Sequence, residues 1–133
     1  MARVLLLDND LFFVVKVTDT LKHAGHTTVA VRSLEDFGRR LEASDPTERP
    51  DLALVNTAAR GLDFRAAIAA ARAADVPVIA FGSHVDLATQ EEARRAGATR
   101  VIANSRLASD LPGIVERAMR PPTGAGTETA APP

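Results

Sequence analysis

Cysteine, tryptophan and tyrosine are all missing from these 133 residues, and lysine occurs only as Lys16 and Lys22. Without cysteine there is no disulfide and no thiolate metal site, and the chain is indifferent to redox compartment. Without tryptophan or tyrosine the usual stacking platform for single-stranded nucleic acid is gone. A formal net charge of −1 removes the basic footprint that a nucleic-acid partner requires. No apolar run approaches the roughly 18 residues of a membrane span. The start, "MARVLLLDND", meets carboxylates too early for a signal peptide, so no membrane association and a cytoplasmic location are expected.

What is present is the composition of one globular domain, 46% hydrophobic and 25% charged. Five short apolar runs are predicted strands: Val4–Leu7, Thr28–Val31, Leu52–Val55, Val78–Phe81 and Arg100–Ile102. The first, third and fourth are apolar at consecutive positions, as in parallel strands covered on both faces. Helical patterns separate them at about Leu11–His23, Leu34–Glu42, Asp63–Ala73 and Leu87–Arg95, and a fifth follows at about Ser109–Arg120. Ser33 is placed as an N-cap, with Asp36 three positions on. Gly25 and Gly97 sit where helices end in a left-handed residue. Five βα repeats predict a doubly wound, five-stranded parallel sheet. Residues 1–120 form this domain, and residues 121–133, "PPTGAGTETAAPP", lack an apolar anchor and are expected to be a disordered tail.

In such a sheet the residues that meet ligands follow the carboxyl ends of the strands. Here they are Asp8-Asn9-Asp10, Asn56-Thr57, Gly82-Ser83-His84 and Ala103-Asn104-Ser105. With "RVLLLDND", "PDLALVN…RGLD", "VPVIAFGS" and "AGATRVIANS" in that order, residues 3 to about 120 resemble the receiver domain of two-component response regulators. That resemblance implies a flavodoxin-like (CheY-like) (βα)5 fold. It also implies a phosphorylation pocket in which two adjacent acids and a phosphoacceptor aspartate hold Mg²⁺. A Thr or Ser after the fourth strand and a Lys after the fifth grip the phosphoryl group.

The pocket residues depart from that pattern. Asp8 matches the first acid, but Asn9 stands at the second and Asp10 is one position late. Asn56 replaces the phosphoacceptor, Gly82 the hydroxyl residue (with Ser83 next to it) and Asn104 the lysine; Val101 stands at the aromatic switch position. A carboxamide is too weak a nucleophile to form an acyl phosphate. The resemblance therefore predicts a degenerate pocket, no catalysis, no metal and no cofactor. The expected function is that of a stand-alone pseudo-receiver: a phosphorylation-independent protein-interaction module of bacterial two-component or phosphorelay signalling. Its partner would be a histidine kinase, a phosphotransfer protein or another signalling protein, or a second copy of the chain.

The alternative is a phosphatase of the haloacid-dehalogenase type. "LLLDND" resembles that first motif, with Asp8 as nucleophile and Asp10 as acid/base, and "VIAFGS" the second, but "RVIANSR" lacks the later acidic pair. A nucleotide site finds no glycine in the first βα turn. Ser83, His84 and Asp86 share one loop and cannot reach triad geometry. His23 and His26 read as surface residues, and His84 as solvent-exposed, with a hydrogen bond to Asp8 or Asp10 as its alternative. On the first helix Phe13, Val17, Leu21 and Ala24 form the predicted core stripe. Leu11, Phe12, Val14 and Val15 fall off it, near the strand tips, and are the expected partner-binding patch.

Overall fold

A computed structural model describes residues 2–83 and 86–119. The elements run β1 (Arg3–Leu7), α1 (Leu11–His23), β2 (Thr27–Val31), α2 (Leu34–Leu41), β3 (Leu52–Asn56), α3 (Phe64–Ala73), β4 (Val78–Gly82), α4 (Leu87–Ala96), β5 (Arg100–Ala103), α5 (Asn104–Ser109) and α6 (Leu111–Ala118). A turn of 3₁₀ helix at Pro46–Glu48 precedes β3. The sheet has five parallel strands in the order β2-β1-β3-β4-β5. Winding reverses between β1 and β3, which makes their carboxyl ends the switch point of the sheet.

Side chains alternate across a strand, so the buried runs serve two cores. Leu6, Leu54, Ile79 and Phe81 meet Val17 and Leu21 of α1, Leu107 of α5 and Ile114 of α6 on one face. Leu5, Val55 and Ala80 meet Phe37 of α2, Ile68 of α3 and Ala93 of α4 on the other. Truncating any of the large ones to Ala costs about 2–5 kcal/mol, because the close-packed interior cannot collapse around the cavity.

Local chemistry sets the helix ends. Ser33 accepts the Asp36 amide at 3.1 Å and starts α2. Gly97, at φ +118°, ends α4 in the left-handed region, and Gly25 at φ +88° follows α1 in the same way. Asp10, Asp63 and Asp86 cap α1, α3 and α4.

Four sequence readings change. The last predicted helix is two: α5 begins at Asn104, directly after β5, and α6 follows a break at Asp110, where Pro112 has no amide to continue the ladder. His26 is buried at 7% exposure rather than on the surface. Its Nδ1 accepts the Ala2 N–H at 2.9 Å, so the neutral ring carries its proton on Nε2, which donates to Glu116 Oε2 at 3.2 Å. Ala24 is exposed and leaves the α1 core stripe. Val14, assigned to the outer patch, is half-buried and packs against the core, because the buried face of α1 is wider than one row of residues. His84 and the proposed tail, residues 121–133, lie outside the described residues. Among the described residues no helix is long and apolar enough to cross a membrane.

Candidate functional site

β1, β3 and β4 end side by side, and their last residues build the pocket. Asp8 follows β1 and is 0% exposed; Asn56 ends β3 and is 8% exposed. The two side chains meet: Asn56 Nδ2 donates to Asp8 Oδ1 at 2.9 Å, and the same oxygen accepts the Asp10 amide at 3.0 Å. Asp8 Oδ2 is buried with no hydrogen-bond partner among the described residues. Burial lifts the Asp8 carboxyl above the usual aspartate range, against the lowering pull of the hydrogen bonds from Asp10 and Asn56.

Asn9, Asp10 and the Asn56 oxygen are each committed to local bonds, whereas among the described residues Asn104 and Ser83 are not. Asn9 is exposed and donates from Nδ2 to the Arg60 carbonyl at 3.0 Å. The Asp10 carboxylate accepts the Phe12 and Phe13 amides at 3.1 and 3.3 Å, which is the N-cap of α1. Its acid/base assignment in the phosphatase alternative would require it to leave that cap. Asn56 Oδ1 accepts the Ala58 amide at 2.8 Å. Asn104, the first residue of α5, carries a second buried oxygen without a partner among the described residues. Ser83 is exposed just beyond β4.

Thr57 is a strand-end residue to which sequence reasoning gave no role of its own. Its hydroxyl donates to the Phe81 carbonyl at 3.2 Å and lies 2.6 Å from where a Cβ on residue 82 would stand. The hydroxyl therefore covers the β4 tip, and glycine at 82 is what leaves it room. No local pattern announces this, since residues 57 and 82 meet only because β3 and β4 are neighbours.

The donor set does not fit a magnesium ion. A hard dication selects carboxylate oxygens. Here the Asn56 amide hydrogens point at the Asp8 oxygen, and the Asp10 carboxylate is held by helix amides. Among the described residues no group of three or more His, Asp or Glu is placed to hold a metal ion.

On α1, Leu11, Phe12 and Val15 are 59%, 91% and 65% exposed. Phe13, one position away, turns inward and stacks on Phe81 of β4, ring centroids 5.2 Å apart. Leu87, at the start of α4, is a further exposed apolar residue that the sequence reading did not single out.

No family model matches the sequence, and no curated protein matches it. Solved structures do match. A receiver domain of a sensor histidine kinase from Pseudomonas aeruginosa, with magnesium in its active-site cleft, aligns over 89% of this chain and 97% of its own at TM-score 0.75 and 21% identity. The signal receiver domain of a modulated diguanylate cyclase from Desulfovibrio desulfuricans aligns over 90% and 94% at TM-score 0.75 and 25% identity. A CheY-like receiver domain protein from Methanospirillum hungatei aligns over 90% and 94% at TM-score 0.77 and 16% identity. The chain has the flavodoxin-like fold of response-regulator receiver domains.

Proposed function

We propose that this chain is a pseudo-receiver, a protein-interaction module of two-component signalling that works without phosphorylation and is not an enzyme. One observation carries the reading. Asn56 occupies the β3 tip, where the receiver pattern places the phosphoacceptor, and its amide is bonded to the one acid retained beside it, Asp8. A neutral carboxamide in that bond offers no nucleophile. Gly82 and Asn104 add no charged donor for a phosphoryl group. The test is intact-mass measurement after incubation with acetyl phosphate and Mg²⁺. No added mass is expected, and stoichiometric gain of one phosphate would overturn the proposal.

Leu11, Phe12 and Val15 are the proposed contact surface for a histidine kinase, a phosphotransfer protein or a similar signalling partner, with self-association as the other use of the same face. Val14 drops out of that surface because it packs inward. Complete burial of one such side chain contributes ~1.5–3 kcal/mol, so three partly covered ones suit a weak, reversible complex. Val15→Glu should abolish association and leave the melting curve unchanged, since an exposed helix position accepts Glu well. A fall of many degrees in Tm would instead place Val15 in the core.

A further inference from the structure

Asn9, Asn56 and Thr57 each make a bond that fastens the segment leaving β3. Asn56 Oδ1 holds the Ala58 amide at 2.8 Å, while its Nδ2 holds Asp8, directly after β1, at 2.9 Å. Asn9 reaches from the β1–α1 loop to the Arg60 carbonyl at 3.0 Å. Thr57 is tied twice to the Phe81 carbonyl of β4, from its amide at 2.7 Å and from its hydroxyl at 3.2 Å. Residues 56–60 are thus fixed to two neighbouring strands and one loop. The chemistry is specific, because Asn9 donates to Arg60 and Asn56 must donate to Asp8 while it accepts from Ala58, and a carboxylate only accepts. An aspartate at 9 would set its oxygen against the Arg60 carbonyl, and one at 56 would set it against Asp8. Thr57 adds a steric condition: any side chain at 82 competes with its hydroxyl for one place.

We propose that Asn9, Asn56 and Thr57 form a clasp that holds the β3–α3 loop, residues 57–62, in one position over the strand tips. The module then presents a constant surface instead of a switching one. Asn9 and Thr57 are positioning residues in this scheme. The constant-surface consequence rests on the pseudo-receiver reading, whereas the clasp itself is a property of the loop and is measured without phosphate.

The test uses the full chain, with NMR relaxation dispersion over residues 57–62 and hydrogen exchange at the Ala58 amide. The native chain should show flat dispersion and a protected Ala58. Asn9→Ala, which removes one net hydrogen bond without adding charge, should speed Ala58 exchange about five-fold or more. Gly82→Ser should lower Tm, and adding Thr57→Ala should restore most of the loss. If Gly82→Ser alone does not fold, folding of the double variant supports the clasp and failure of both overturns it. Millisecond exchange in the native loop, or Gly82→Ser tolerated with Thr57 in place, also overturns it. Loop mobility in a chain that takes no phosphate would sink the clasp and leave the pseudo-receiver reading standing; phosphate uptake with a rigid loop would do the reverse.

Discussion

Among the described residues each end of the sheet buries one titratable side chain, and the two are treated differently. At the amino end both nitrogens of the His26 ring are engaged, one by the Ala2 amide and one by Glu116. At the carboxyl end Asp8 Oδ1 accepts two hydrogen bonds, while Asp8 Oδ2, like Asn104 Oδ1 after β5, is buried without a partner among the described residues. A fully matched buried polar group stabilises one arrangement, while an unmatched acceptor costs about 1–3 kcal/mol. The amino end therefore reads as a fastening. The carboxyl end reads as a set of groups only partly matched among the described residues. Substitutions at the two ends should differ in size, in sign and in their response to pH.

The largest effect is expected from Asn56→Asp. It removes the amide that donates to Asp8 and sets a second carboxylate against the first in a site that is almost fully buried. An uncompensated buried charge costs about 3–5 kcal/mol. Asp8 is already raised by burial, and a like charge raises both members of the pair further. Acids raised in the fold give most stability when protonated, so the variant should be least stable at neutral pH and recover on acidification. Denaturant titrations at pH 7 and pH 4.5 measure this, and phosphorylation is expected to remain absent. A variant as stable as the native chain at pH 7 would mean that the carboxyl end has room for charge.

His26→Ala should cost less, ~1–3 kcal/mol from the unmatched Ala2 amide together with the space left by the ring. Its effect should be confined to the amino end, with the Ala58 amide still protected in hydrogen exchange. Equal loosening at both ends would dissolve the contrast between them.

The strands, the first four helices and the caps at Ser33, Gly25 and Gly97 were legible because each rests on neighbours in sequence. Ser33 and Gly97 act within one turn of where they stand, whereas Asp10, read as a pocket acid, proved to be the N-cap of α1. The places of Asp8, Asn56 and Gly82 at the ends of β1, β3 and β4 were legible too, because they follow from the strands themselves. What each side chain bonds there was not. Asn56 and Asp8 are 48 residues apart, Thr57 and Phe81 24, and His26 and Glu116 90. His26 next to Gly25 looks like any turn residue until α6 closes over it. Val14 shows the limit of periodicity: the 100° rule places residues around a helix but does not say how far neighbouring elements wrap it. The start of α5 at Asn104 was hidden for a related reason, because no side chain caps it.

Asp8→Asn should give the smallest change, and its sign separates the two ends most sharply. The substitution keeps the size of the side chain, and a carboxamide oxygen can still accept from Asn56 and Asp10. It removes a buried charge for which no cation is in contact among the described residues, leaving a neutral group at the position of the bare oxygen. The native Asp8 carboxyl titrates above the 3.8 of a free aspartate. An acid raised in the fold contributes stability that is fully present below its unfolded pKa and is lost as pH rises through the folded value. The native chain should therefore lose stability between about pH 4 and neutrality through this residue. Asp8→Asn should lack that slope, so its stability relative to the native chain should rise from pH 4 to pH 7. Truncating the matched group at the amino end destabilises, whereas neutralising the unmatched one stabilises. Denaturation midpoints across that pH range read the difference directly. A loss of stability at pH 7 would show that the Asp8 charge is held by interactions stronger than its two hydrogen bonds, and the carboxyl end would then be as well matched as the amino end.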